Sequence, residues 1–371
     1  MDYKILPYKT NKNGYLPADT VSISILNSYN DHTSFLYAFY NLFCFECYYS
    51  NGYIIHNVEL DWECPTLSRK EVPRSVLHSI NDLSIIDFII SSINEGYYIY
   101  LTLDSSKINC YNHNNMVFMP HPLLIYGYDQ IKKEFYIADY FRNSTYSHNK
   151  LSYNEFNNAN NSLLSHMKVL DPLCGTNDSI LDIEFIKYLN NCNIIVDSDY
   201  IRHSIDLFLN GRWTFGNKFS YKQNRTLPRT AFDEHGNMYY YEAATSNEKY
   251  GINVFWEIAH HLKRCIDSDK YFFNFMPIHL LNLYYELFIE KMVILKQEIA
   301  CHKLHKTINR LLDDAKEHRK SLQMAVSISL KYEIKKECGT DEKKYLVSVS
   351  NIIEKEIQYI YDINYLLRDT L

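Results

Sequence analysis

MPHPLLIYGYDQIKKEFYIADY, residues 119 to 140, decides how the chain is read. From Pro122 to Tyr128 it runs apolar and aromatic. A polar break follows at Asp129, Gln130, Ile131, Lys132 and Lys133, and a second aromatic run, Phe135 to Ala138, ends on Asp139. Two such runs around a short polar break predict a β-hairpin. With the turn centred near residues 130 and 131, antiparallel pairing sets His121 opposite residue 140, and Asp139 beside it within the cross-strand spacing of ~5 to 6 Å. A His and a carboxylate at the open end of a hairpin are two thirds of a nucleophilic triad. The acid orients the imidazole and stabilises the imidazolium, while the other ring nitrogen takes a proton from a Cys or Ser. The alternative is a polar pair that caps a surface hairpin.

The order His121, then Tyr126-Gly127-Tyr128-Asp129, then Phe135-Tyr136-Ile137-Ala138-Asp139 resembles the second half of a papain-like site. It is similar to the bacteriocin-processing cysteine peptidases and to proteins like the N-terminal domain of butirosin biosynthesis protein H. The likeness covers about the first 170 residues and continues more weakly downstream. It implies an α+β fold: a papain-like N-terminal domain, with a helix packed on an antiparallel sheet, and then a mostly helical C-terminal domain. It also implies an early nucleophile at a helix start, where the dipole and free N–H groups lower a thiol pKa and hold an oxyanion.

The stretch that matches this early helix is Asn27-Ser28-Tyr29-Asn30-Asp31-His32-Thr33-Ser34 followed by FLYAFYNLFCF. Phe35, Leu36, Phe39, Leu42 and Phe43 follow helical spacing, with Asp31, Thr33 or Ser34 as caps. Here the chain departs from the family, because no Cys lies between Met1 and Phe43. Ser34 is the first candidate for the nucleophile, giving Ser-His-Asp with His121 and Asp139, and His32 is the alternative position. Asn30 or Asn27 supplies the side-chain oxyanion donor in this reading. A natural serine enzyme, an engineered Cys-to-Ser replacement and a relative without catalysis all fit, and so does Ser34 as a plain helix cap.

A length of 371 residues with 46% hydrophobic content suits two domains with full cores. A net charge of −6 offers no reason to propose nucleic acid or an anionic membrane as partner. Nine cysteines at irregular spacing suggest reduced thiols in a cytoplasmic protein rather than a disulfide frame. Cys44 and Cys47 form a lone CxxC, read as buried helix cysteines, and His260, His261 and Cys265 are read as helix surface and core rather than a metal cluster. The start shows no signal peptide, and no apolar run approaches the ~18 residues of a membrane span.

In chain order, Val21 to Leu26 (VSISIL) alternates like a half-buried strand. Residues 44 to 80 read as loops and short strands, Ser84 to Asn94 as a helix ended by Glu95-Gly96, and Tyr97 to Leu103 as a central strand. His113 is a loop residue. After the hairpin, Leu151 to Phe156 reads as a strand end and a helix capped by Ser152 or Asn154. The polar, breaker-containing segment Asp171 to Asp178 sets the expected boundary: 1–172 papain-like, 173–371 helical. The second part holds helices over Ile180 to Asn190, Tyr200 to Asn210, Tyr250 to Leu262, Tyr271 to Gln297, Ala300 to Lys331 and Tyr345 to Leu367. An irregular insertion, 211–249, carries a hairpin-like Asn237 to Glu242. Leu280, Leu281, Tyr284, Leu287 and Ile294 form a helix stripe of core type.

The family resemblance implies acyl transfer to an amine, forming an amide in a natural-product pathway, from an acyl or peptidyl carrier protein's phosphopantetheine arm. Amide-forming papain-like proteins of closthioamide-type pathways share that logic. No metal or other cofactor is implied. A hydrolase of the same fold, or a binding protein for an acyl or peptide ligand, are the alternatives.

Overall fold

The structure is a computed structural model that describes residues 2–10, 17–31, 41–49, 52–61, 66–74, 77, 84–111, 118–141, 146–174, 182–190, 198–211, 227–232, 238–243, 249–298, 302–339 and 342–371. It is mixed α+β, with an antiparallel sheet in the first half and helices through most of the second. By their contacts the residues fall into two units, one of 1–34, 64–193 and 232–239, the other of 35–63, 194–231 and 240–371.

The first unit is built on a seven-stranded sheet. Its strands are β1 (Tyr3–Ile5), β4 (Leu67–Pro73), β5 (Tyr98–Asp104), β6 (Pro120–Asp129), β7 (Glu134–Tyr140), β8 (Tyr146–Ser152) and β9 (Asp182–Tyr188). They run in the order β4-β9-β5-β6-β7-β8, with β1 also paired to β6, and every pairing is antiparallel. β5 and β6 hold the centre because their residues are apolar in succession: Ile99, Leu101, Leu103, Leu123, Leu124 and Ile125 are all buried. Burying each such side chain contributes about 1.5–3 kcal/mol. Three helices, α1 (Pro17–Ser28), α2 (Ile85–Asn94) and α3 (Tyr153–Cys174), supply the covering apolar surface. Phe88 of α2 meets Phe185 edge-on, and Phe156 of α3 meets Phe135.

Three expectations are corrected here. Val21 to Leu26 is not a strand but the middle of α1, buried all round. Its alternation carries no face information because the intervening serines are buried too: Ser22 Oγ accepts from Arg69, and the Ser24 carbonyl accepts from Ser28 Oγ at 2.6 Å. Leu42, Phe43, Cys44 and Cys47 are on a strand, β2 (Asn41–Tyr49), rather than a helix. Ile180 to Asn190 is no amphipathic helix either. β9 slots between β4 and β5, pairing Tyr98 with Ile186 and Val72 with Ile183, so a run read with period 3.6 has period 2. The expected boundary at residue 172 accordingly falls inside α3, and the sheet takes its next strand from beyond it. The start of α3 behaves as read from the sequence. Ser152 Oγ accepts from the Glu155 N–H and the Glu155 carboxylate takes the Ser152 N–H, each at 3.2 Å, a reciprocal capping box.

The second unit contains β2, β3 (Gly52–Asp61) and β12 (Lys249–Tyr250) in one sheet, with helices α4 (Ser198–Leu209), α5 (Ile252–Asp267), α6 (Met276–Glu298), α7 (His302–Glu337) and α8 (Lys344–Thr370). Between α4 and α5, β10 (Leu227–Phe232) and β11 (Met238–Ala243) pair as a two-stranded ribbon, in the stretch expected to hold an irregular insertion. Leu281, Tyr284, Leu287 and Ile294 are core. Tyr284 stacks on Phe208 at 5.6 Å, and its hydroxyl accepts from Asn364 Nδ2 at 2.8 Å. Among the described residues no helix is long and apolar enough to cross a membrane.

Candidate active site

Hairpin register brings His121 and Asp139 together. β6 and β7 pair Asp129 with Glu134 across a turn at residues 130–133, and a shift between Ile125 and Gly127 carries the ladder to Leu124 opposite Ala138. His121 pairs with Leu103 at the far end of β5, and its Nε2 lies 3.0 Å from Asp139 Oδ2. The imidazole is 30% exposed and the carboxylate 0%, so a buried acid backs a base that reaches solvent. With the proton on Nε2, donated to Oδ2, the neutral ring presents its lone pair at Nδ1. Among the described residues no Ser, Thr or Cys is hydrogen-bonded to that ring.

Tyr111 completes the group. Its hydroxyl donates to the same Oδ2, and its ring meets the His121 ring edge-on at 5.6 Å and the Phe141 ring at 5.1 Å. Burial, then the neighbouring Asp139 charge, pushes the Tyr111 hydroxyl well above its ordinary pKa, so it stays a donor. Among the described residues, Asp139 Oδ1 is buried with no hydrogen-bond partner.

Asp104 ties down the loop that carries Tyr111. Its Oδ1 accepts from the Ser106 N–H at 3.1 Å, Ser106 Oγ at 2.7 Å and the Met119 N–H at 3.0 Å, and its Oδ2 accepts from Ser162 Oγ of α3 at 2.5 Å. Burial alone would raise this carboxyl, but the donors from Ser162, Met119 and Ser106 outweigh it and hold the group below its usual range. The Ser105 N–H to Met119 carbonyl bond at 2.8 Å closes the neck of the loop two residues before His121. Asp104 followed by two serines is a local Asx-turn signal that sequence reading passed over. Tyr111 leaves no such signal, because its contact spans 28 residues and exists only once the sheet has formed.

α1 begins at the same end of the sheet, where Thr20 Oγ1 is 3.0 Å from the hydroxyl of Tyr140, the neighbour of Asp139. It finishes at the other end. Tyr29 stacks on Tyr188 at 3.9 Å, and Asp31 accepts from Thr66 Oγ1 at 2.7 Å and the Tyr188 hydroxyl at 3.2 Å. Asn30 is an exposed turn residue at that end, with φ of 54°, whereas His121 pairs with Leu103 at the other end of β5. It does not join His121, nor does Asn27, which lies in the last turn of α1. Ser34 and His32, the two nucleophile positions, lie outside the described residues, as does His113.

His260 is exposed while His261 and Cys265 are buried, and among the described residues no three His, Cys, Asp or Glu side chains group as metal ligands. No protein-family model matches the chain, and no curated protein is significantly similar to it.

Proposed function

We propose that the first unit is a papain-like acyltransferase in which His121 acts as general base on the acceptor amine itself, so that the acyl group passes from a carrier-bound thioester to the amine without resting on the protein. The observation that carries the reading is the buried Asp139 carboxylate bonded to Nε2 of a part-exposed His121, which leaves Nδ1 as the basic atom. The amine nitrogen attacks the thioester carbonyl carbon and its proton moves to Nδ1. The tetrahedral intermediate then breaks its C–S bond, and the imidazolium returns that proton to the departing thiolate. Asp139 stabilises the imidazolium between the two steps.

Direct transfer suits the residues at hand. The helix whose first turn reaches the His121 end is α1, and the sequence holds neither Cys nor Ser before Ser22. The same absence favours a second reading, a cleft that binds an acyl or peptide ligand without turning it over.

Mixing the purified chain with an acyl-phosphopantetheine thioester and a primary amine, and measuring amide by mass spectrometry, separates the two. The first reading expects amide formation that falls about 10²–10⁴-fold in His121→Ala, the usual worth of a positioned base, and is retained in Ser34→Ala. Wild-type protein that forms no more amide than His121→Ala, yet binds the thioester, establishes the second reading instead.

A further inference from the structure

We infer that Tyr111 is the positioning residue of the acid–base pair: its hydroxyl shares Asp139 Oδ2 with His121 and thereby sets how strongly the carboxylate holds the imidazole proton. The inference rests on reading His121 and Asp139 as an acid–base pair, and reaches a residue 28 positions away from Asp139 in sequence.

Two contacts from one side chain reach the two members of the pair. The hydroxyl donates to Asp139 Oδ2 while the ring edge stands against the His121 ring at 5.6 Å with an interplanar angle of 75°. Among the described residues the two donors to Asp139, Tyr111 and His121, converge on Oδ2, and Oδ1 is buried with no partner there. A second donor on the same oxygen spreads the carboxylate's charge. Part of the carboxylate's demand for a donor is then met by the phenol rather than by the imidazole N–H. Remove the hydroxyl and the buried carboxylate has one donor left, so His121 holds its proton more tightly.

The other titratable groups around the pair do not duplicate this role. Tyr146 and Tyr8 feel the Asp139 charge, but their hydroxyls face each other at 2.7 Å. Asp104 is occupied by Ser106, Met119 and Ser162, and the nearby Cys110 and Tyr100 add to the rise of the Tyr111 hydroxyl through their charge. Tyr111 itself is fixed from both sides. Its N–H bonds to the Ile108 carbonyl at 3.3 Å, the Ile108 N–H bonds to the Ser105 carbonyl at 3.2 Å, and the Phe141 ring packs against its own.

Tyr111→Phe keeps the ring and removes only the hydroxyl. Proton and nitrogen NMR on histidine-labelled protein, with the 121 signal assigned by its loss in His121→Gln, follows the titration without any substrate. The expected result is a midpoint about one pH unit higher in Tyr111→Phe, a tenfold gain in proton affinity, and an unchanged midpoint in Tyr146→Phe. An unchanged midpoint in folded Tyr111→Phe overturns the inference. Should that variant not fold, the wild-type protein still decides: the buried Tyr111 hydroxyl proton must shift as His121 titrates, and a resonance indifferent to that titration overturns the inference as well. The acyl-transfer reading stands or falls separately, on whether wild-type protein forms amide at all. Where it does, the Tyr111→Phe rate profile should move to higher pH by the same interval.

Discussion

Asp104 shows how one residue governs a site it does not enter. Four donors converge on its carboxylate, and they hold both ends of the loop from Ser105 to Met119, which delivers Tyr111 and leads into His121. Asp104→Ala strands those donors in a buried place, at about 1–3 kcal/mol for each left unmade, part of it recovered by rearrangement. We expect a loss of about 2–4 kcal/mol in urea unfolding, together with loss of the Tyr111 to Asp139 bond. A change within a few tenths of a kcal/mol would show that the loop is held by other means. At this scale the sequence disclosed His121 and Asp139 as a pair, because strand alternation and a polar turn suffice to place them within a residue of register. It could not disclose Tyr111, whose partners come from two other strands.

Elements were legible where one face of a segment meets water, and illegible where none does. α2, β5, the hairpin and the helices of the second unit follow their apolar spacing closely. α1 misled because it is buried all round, with its serines and threonine consumed by hydrogen bonds to Arg69, a helix carbonyl and Tyr140. β9 misled because its apolar residues, Ile183, Phe185 and Ile186, fit a helical stripe as well as a strand between two neighbours. Close approach of elements has its own signature at two glycines. A Cβ on Gly127 of β6 would stand 2.8 Å from the Lys4 carbonyl oxygen of β1, and one on Gly251, at φ of 55°, would stand 2.4 Å from the Phe208 carbonyl oxygen. Gly251→Ala therefore meets both a positive φ and a backbone collision, with no flexible side chain to yield. It should lower the stability of the second unit by at least about 2 kcal/mol in chemical denaturation, whereas a drop below about 0.5 kcal/mol would contradict the close α4 to α5 contact.

Across the whole molecule, the chain leaves the first unit and re-enters it, which no composition shift announces. Residues 35–63, placed by sequence in the N-terminal domain, belong with the helices of the second unit, and β9 belongs with the first sheet. A fragment ending at residue 172 lacks the strand that joins β4 to β5. Its amide protection by hydrogen exchange should be lost across β4 and weakened along β5, while native-like protection in that fragment would contradict the strand order. The second unit carries its own pH response. Burial raises the Glu356 carboxyl above its ordinary range, against the lowering effect of His318, Tyr285 and Ser321. A raised carboxyl stabilises the fold fully below its unfolded pKa, and that contribution is lost as pH rises through the folded value. Glu356→Gln, neutral at every pH, should therefore flatten the decline in stability on the alkaline side of the unfolded carboxyl range. An unaltered slope would count against it.

His121 stands 3.0 Å from the buried Asp139 carboxylate, and the function proposed for the pair is proton transfer for an acyl group that never attaches to the protein. The most direct measurement is a single-turnover reaction with acyl-phosphopantetheine thioester and amine, quenched over time, reading amide and intact protein mass in the same samples. Amide should accumulate with no acylated protein at any time point, and form about 10²–10⁴-fold more slowly in His121→Ala. An acyl adduct that forms and decays at the rate amide appears, and is lost in Ser34→Ala, would contradict it.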